Sequence, residues 1–376
     1  MNLFTDFNLL PSLQDTLKGK NLIQPTEIQK RTIPALLEER SIIGVSETGS
    51  GKTLAFVLPI LHLLKNLEIK GLRIQLESSP RACVIVPTRE LGEQVTRVFK
   101  PFTHTTRLRV RSLLGGTTLE MGRKNIQGAF EVLVATPGRL VQLMNRSLIY
   151  LNDVRILVFD EADQMLDQGF LPDATQIAKA CPPSRQMALF SATVSPAVQD
   201  LMNKLFSGAE IIRSKGSHHL VPTLTTQNLT VINGKRFPLL ETLLTKTITG
   251  GTLIFANTRQ QCDQLASELL KKGKGCAIYR GEMDKLERRA NLKAFREGKV
   301  NLLISTDLAS RGLDVDHVGR VINYHLPQQM ENYIHRVGRT ARAGREGLVI
   351  NFVTERDQAW ASGLKAIQSK ERKTIR

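Results

Sequence analysis

The sequence predicts an α/β protein built on parallel sheets and divided into two domains, and three observations carry that reading. The chain has 376 residues, which at about 100 to 200 residues per domain fits two cores better than one or three. Short runs rich in Val, Ile and Leu recur at 82–86, 132–135, 156–159, 187–190, 253–255, 302–305, 320–324 and 348–353. They are too short for helices and apolar at successive positions, as strands covered on both faces are. Between them lie stretches such as 88–102, 260–271 and 285–296, whose apolar residues fall at helical spacing. Alternation of the two patterns means parallel strands joined by helical crossovers. The rhythm breaks between Arg213 and Thr226, where Ser, Gly, His218-His219 and Pro222 interrupt both periods. This places a first domain at 1–213, a linker at 214–225, a second domain at 226–365 and a short basic tail at 366–376. His218 and His219 have no third ligand at metal spacing and read as solvated linker residues.

Composition narrows the function. Hydrophobic residues at 41% and charged residues at 23% are those of an ordinary globular protein, which excludes a disordered or collagen-like chain. Lys and Arg number 52 against 35 Asp and Glu, a net charge of +17, so a polyanionic partner is expected. Up to residue 213 there are 25 basic and 20 acidic residues, and beyond it 27 and 15, so the second half carries +12 of the excess. Cys83, Cys181, Cys262 and Cys276 form no C-x-x-C pair, and no secretory leader is seen, so a reduced, cytoplasmic protein is predicted. The longest apolar stretch, 54–64, is broken by His62 and falls short of the roughly 20 residues that span a bilayer, so no membrane partner is expected.

Three motifs carry chemistry. The first is Ser46-Glu47-Thr48-Gly49-Ser50-Gly51-Lys52-Thr53, between the apolar strand 42–45 and a helical stretch from Leu54. Glycines let backbone N–H groups close around phosphates, and the helix N-terminus adds its positive end. Lys52 reaches the β and γ phosphates, and Thr53 can ligate Mg²⁺. The second is Asp160-Glu161-Ala162-Asp163 at the end of the strand 156–159. Acids there often only cap a helix. Paired with a phosphate loop they divide the work: Asp160 holds Mg²⁺, and Glu161 orients and deprotonates the attacking water.

The third motif is His335-Arg336-Val337-Gly338-Arg339-Thr340-Ala341-Arg342-Ala343-Gly344-Arg345. Its glycines weaken any helix that would display four arginines to solvent, whereas planar guanidiniums suit a triphosphate contacted from across a cleft. In a pair of tandem RecA-like domains with ATP between them, Arg339 and Arg342 would be arginine fingers.

Together these residues resemble the DEAD-box family of RNA helicases, whose name spells Asp160 to Asp163, and the resemblance runs from about residue 4 to 353 in the family's order. It implies two tandem RecA-like domains, each a mostly parallel sheet flanked by helices, and ATP-dependent local unwinding or remodelling of RNA. Pro25-Thr26-Glu27-Ile28-Gln29 is similar to the adenine-recognition motif, with the Gln29 amide reading the base. Pro87-Thr88-Arg89, Gly115-Gly116, Thr136-Pro137-Gly138-Arg139 and Thr306 match positions that contact the RNA backbone. Ser191-Ala192-Thr193, with Asp163 and His335, resembles the element that couples hydrolysis to domain closure. Gly312 and Asp314, in Arg311-Gly312-Leu313-Asp314, match positions at the nucleotide, Asp314 at the ribose.

Four positions depart from the family pattern. Ser46 and Ala341 replace its usual alanine and glycine and are small enough to keep the backbone path. Leu22 stands where an aromatic residue stacks on adenine, which predicts weaker stacking and more reliance on Gln29. Lys285 replaces a glutamine in the helix that carries Arg288. The second-half charge fits sequence-independent phosphate contacts, so target choice falls to a protein partner or is absent. A DNA helicase of the same superfamily and a non-hydrolysing RNA clamp or annealing chaperone are the alternatives.

Overall fold

Successive residues of the central strands are buried on opposite faces of their sheets, and this decides where the helices pack. The structure, a computed structural model, describes every residue except 1, 48, 75, 117, 215–223, 308–314, 316, 341–345 and 358–376. It divides into two units, Met1–Ser217 and His218–Arg376.

The strands of the first unit are β1 (Ile42–Val45), β2 (Ala82–Ile85), β3 (Val110–Leu113), β4 (Val132–Ala135), β5 (Ile156–Phe159), β6 (Gln186–Ser191) and β7 (Glu210–Arg213), in the order β3-β4-β2-β5-β6-β1-β7. Every ladder is parallel. In β2, Ala82 and Val84 join one apolar cluster with Phe56, Phe99 and Phe190, while Cys83 and Ile85 join a second with Phe130, Phe159 and Leu189. Helices on both faces are therefore required, and the strands read as unbroken apolar runs.

The second unit holds β8 (Leu224–Thr230), β9 (Gly251–Phe255), β10 (Ala277–Tyr279), β11 (Leu302–Ser305), β12 (Val318–Asn323) and β13 (Gly347–Val353), in the order β10-β11-β9-β12-β13-β8, again all parallel. Leu253, Val321 and Val349 face one cluster, and Ile254, Ile322 and Ile350 the other.

The four strands that the sequence reading does not mark, β3, β7, β8 and β10, are the four sheet edges. β7 buries only Ile212, and β8 is a polar Leu-Thr-Thr-Gln-Asn-Leu-Thr segment with no fully buried residue. An edge strand is covered on fewer sides, so its sequence carries less hydrophobic signal. One expected boundary moves for this reason: Leu224 and Thr225, placed in the linker, open β8, pairing with Gly347 and Leu348. At the other end Ser214 donates its N–H to the Val45 carbonyl at 3.1 Å, extending the β7–β1 ladder. The rest of the expected linker, residues 358–365 and the basic tail lie outside the described residues. The expected helices form as Arg89–Thr106, Arg259–Lys271 and Lys285–Arg296. Thr88, Thr258 and Asp284 cap them through side-chain oxygens that accept first-turn N–H groups.

Candidate active site

Because all strands of the first unit are parallel, their C-terminal ends share one sheet edge, and every sequence motif of that unit except the one at 25–29, which lies before β1, follows such an end. β1 runs into Ser46, β2 into Pro87-Thr88-Arg89, β4 into Thr136, β5 into Asp160, and β6 ends at Ser191.

The loop after β1 is shaped by Gly49 and Gly51, with φ of +85° and +91°. Gly51 caps the helix Lys52–Ile69, and a Cβ there would sit 2.5 Å from the Gln29 Nε2, so both the backbone angle and the close approach require glycine. Gln29 Nε2 donates to the Gly51 carbonyl at 2.8 Å, and its Oε1 accepts the Thr26 N–H at 2.9 Å, which anchors the expected base reader on the phosphate loop. Ser46 is fully buried; its N–H donates to the Ser191 carbonyl at 3.0 Å and its hydroxyl shares a 2.8 Å hydrogen bond with Ser50. The departure from alanine thus adds a tie across the loop. Lys52 is buried and donates to the Ser46 and Glu47 carbonyls at 2.8 and 2.9 Å, with Glu161 Oε1 3.7 Å from Nζ. Thr53 is half-buried in the first helical turn. Leu22 packs against the first apolar cluster.

Asp160 and Glu161 are both buried. Burial first, then the Glu161 charge, pushes the Asp160 carboxyl up to about 7, opposed by Lys52. A buried acid held this far above the carboxylate range is short of positive charge, a deficit that a divalent cation beside Thr53 would relieve. Glu161 occupies the left-handed region at φ +52°, ψ +53°, uncommon for a non-glycine residue. That conformation turns the chain between β5 and the short helix Ala162–Asp167.

Asp163 is tied to the end of β6. Its Oδ2 accepts the N–H groups of Ala192 and Thr193 and the Thr193 hydroxyl at 3.1, 2.9 and 3.0 Å, and its own N–H donates to the Ser191 hydroxyl at 3.2 Å. Three of the expected coupling residues therefore form one buried cluster directly behind Glu161.

The residues expected at RNA gather at the ends of β2, β3 and β4, which are neighbours. Arg89 donates to the Gly116 carbonyl at 3.4 Å and to Glu93 at 2.9 Å, while the Gly115 N–H donates to the Thr136 hydroxyl at 3.0 Å. Gly116 has φ of +80°. Pro87 is buried beneath them, and Arg139 projects from the helix Pro137–Met144, paired with Gln142 at 2.7 Å.

In the second unit Thr306 is buried at the end of β11. His335 lies on the helix Met330–Val337 and Arg339 just beyond it; both are buried, and Arg339 Nε donates to the His335 carbonyl at 3.2 Å. Thr48, Gly312, Asp314 and Arg342 lie outside the described residues. Arg336 does not fit the expectation of arginines suited to phosphate. It is 1% exposed and spends every N–H inside its own unit: on both Asp307 oxygens, on the Asn257 and Asn323 side-chain oxygens at 2.9 and 3.0 Å, and on the His325 carbonyl at 2.6 Å. Its guanidinium also lies 4.9 Å over the Phe255 ring. The sequence signal for this hub was the polar Asn323 directly after the apolar pair Val321-Ile322.

Comparison with known proteins bears on this geometry. Residues 26–201 match the model of the DEAD/DEAH box helicase family, and residues 235–344 that of the helicase conserved C-terminal domain. The chain is 33% identical over 360 residues to the ATP-dependent RNA helicase CshA of Listeria monocytogenes, covering 96% of this chain and 68% of that protein. It is 36% identical to the DEAD-box ATP-dependent RNA helicase RhpA of Helicobacter pylori, covering 93% and 69%. Among solved structures, S. cerevisiae Dbp5 bound to RNA and ADP BeF3 is similar with a TM-score of 0.85, 31% identity and coverage of 98% and 93%.

Proposed function

The chain belongs to the DEAD/DEAH box helicase family, and on that premise we propose that it is an ATP-dependent RNA helicase that locally unwinds or remodels RNA duplexes and RNA–protein complexes. The observation that carries this reading is the Lys52–Glu161 arrangement: a phosphate-loop lysine 3.7 Å from a buried acid, beyond the ends of β1 and β5, which flank β6 in one sheet.

ATP binds along the loop 46–53. Backbone N–H groups and Lys52 hold the phosphates, and Gln29 recognises the adenine edge; Gly312 and Asp314 meet the nucleotide from the second unit. Thr53 and Asp160 would hold Mg²⁺, whose charge would offset that of the phosphates. Glu161 orients the attacking water and accepts its proton, a role worth roughly 10² to 10⁴ in rate. Arg339 and Arg342 stabilise charge on the phosphoryl group once the two units close, worth about 10³ or more. Arg339 can keep its Nε bond to the His335 carbonyl and present its terminal nitrogens to phosphate, and we include His335, one helical turn before it, in the coupling. Pro87, Thr88, Arg89, Gly116, Thr136, Arg139 and Thr306 contact the RNA backbone. Asp163, Ser191 and Thr193 relay the state of Glu161 to that surface. Phosphate contacts give affinity without sequence choice, so a protein partner would supply targeting.

No helix among the described residues is long and apolar enough to cross a membrane, and we assign the chain to the cytoplasm from its unpaired cysteines. The DNA-helicase and non-hydrolysing-clamp readings are not favoured, since the named relatives are RNA helicases and Glu161 is retained. A strand-displacement assay tests the proposal: a short RNA duplex should separate on addition of ATP and remain paired with a non-hydrolysable analogue under multiple turnover. Equal displacement without ATP would reject it.

A further inference from the structure

Arg336 is the end of a longer chain of buried polar groups. Asn323, Asn351 and Asn228 stand directly opposite one another on β12, β13 and β8. The Asn323 Nδ2 donates to Asn351 Oδ1 at 2.8 Å, and the Asn351 Nδ2 donates to Asn228 Oδ1 at 2.8 Å and to the Tyr333 hydroxyl at 3.2 Å. Asn323 and Asn351 are completely buried, each next along its strand to an apolar core residue, Ile322 and Ile350.

The direction of this chain is fixed by chemistry. A guanidinium only donates, so Asn323 must present oxygen to Arg336 and nitrogen to Asn351, and each following amide takes the same sense. The segment after Arg336 is held at two points: the Arg339 N–H donates to the Arg336 carbonyl at 3.1 Å, and the Thr340 hydroxyl donates to the Val318 carbonyl, on β12, at 2.6 Å. A buried asparagine pair costs stability unless both amides are satisfied, and here full satisfaction depends on the arginine.

We propose that Asn323 and Asn351 are positioning residues for hydrolysis, acting through Arg336 to hold the His335–Thr340 segment in register with the sheet. The proposal rests on the reading that Arg339 and Arg342 meet the phosphates. It also makes β8, the first strand after the interdomain segment, part of the arginine machinery, because the chain ends on Asn228.

The test is made on the full chain. Asn351→Leu removes the acceptor that Asn323 needs; kcat with saturating RNA should fall about tenfold or more, with KM for ATP changed less than about twofold, as for misplaced supporting groups. The Arg336 Nε–H resonance should shift or broaden. Asn351→Asp keeps an oxygen facing Asn323 and should restore most of kcat. Phe352→Leu, next along β13 and packed in the opposite cluster, supplies comparable destabilisation and should keep kcat. Should Asn351→Leu fail to fold, Asn323→Asp is the alternative: it retains the acceptor for Arg336 and lets Asn351 and Asn228 flip, so it should remain active. Wild-type kcat or an unchanged Arg336 resonance in Asn351→Leu, an equal kcat loss in Phe352→Leu, or an inactive Asn323→Asp would overturn the proposal. A wild-type chain without RNA-stimulated turnover would count against the parent reading alone, and the Arg336 resonance would still decide this one.

Discussion

The Lys52 ammonium and the Glu161 carboxylate face each other at 3.7 Å, both buried, with the lysine's remaining donors on the Ser46 and Glu47 carbonyls. ATP must therefore draw Lys52 away from groups of its own loop, and Glu161 competes with phosphate for the same charge. Lys52→Ala should weaken ATP binding by tenfold or more, since a charge-assisted contact is worth about 1.5–3 kcal/mol. Glu161→Gln should bind ATP at least as tightly as the native chain while turnover falls about 10²-fold or more. Fluorescent-nucleotide titration and single-turnover hydrolysis measure the two effects, and a Glu161→Gln chain with native turnover would remove the assigned role.

Gln29 spends its amide on the Gly51 carbonyl and the Thr26 N–H, so its loss should disturb the phosphate loop as well as base choice. Gln29→Ala is expected to erode a preference for ATP over GTP and to raise the KM for both. Leu22, half-buried against the first apolar cluster, has no aromatic face to stack on the base, which leaves more of the discrimination to Gln29. Equal use of ATP and GTP by the native chain would refute the assignment.

Thr193 reaches Asp163 through both its N–H and its hydroxyl. Thr193→Val keeps the shape and the backbone bond but deletes the hydroxyl donor, leaving Asp163 Oδ2 with two N–H partners. ATPase activity should survive within a few fold while duplex separation per ATP drops. Parallel loss of both activities would instead make this cluster part of the chemistry.

The sheet interiors were legible in the sequence because residues such as 156–159 and 302–304 are apolar at successive positions, as strands covered on both faces require. The edges were not, since β7 buries only Ile212 and β8 is largely polar, both recruited by pairing with β1 and β13. The phosphate loop and the acids at 160 and 161 were legible because their chemistry needs those residue types side by side. Arg336 was not: its partners Asn257, Asp307 and Asn323 come from the ends of three different strands, and only the sheet order brings them together.

His325 gives the second unit a pH dependence of known sign. Burial first, then Arg236 and Arg336, lowers its pKa to about 4, and its Nδ1 is buried with no hydrogen-bond partner among the described residues. The folded ring therefore resists a proton that the unfolded chain takes up near 6.5. Above that pH the difference contributes nothing; stability falls as pH drops from about 6.5 towards 4. Urea midpoints at pH 7 and pH 5 should differ in the native chain and differ less in His325→Gln. An unchanged difference in the variant would assign the effect to other groups.

The two-unit mechanism is tested most directly by the ATP hydrolysis rate with and without single-stranded RNA, for the full chain, for Arg342→Ala and for the fragment Met1–Ser217, which contains both apolar clusters of its own sheet. The full chain should be stimulated about tenfold or more by RNA and little by DNA of the same sequence, because RNA gripped by both units favours their closed state. Arg342→Ala should keep its fold and lose turnover by about 10³-fold, and the fragment should hydrolyse ATP slowly with no response to RNA. RNA-stimulated hydrolysis at the full rate by the fragment alone would contradict the account.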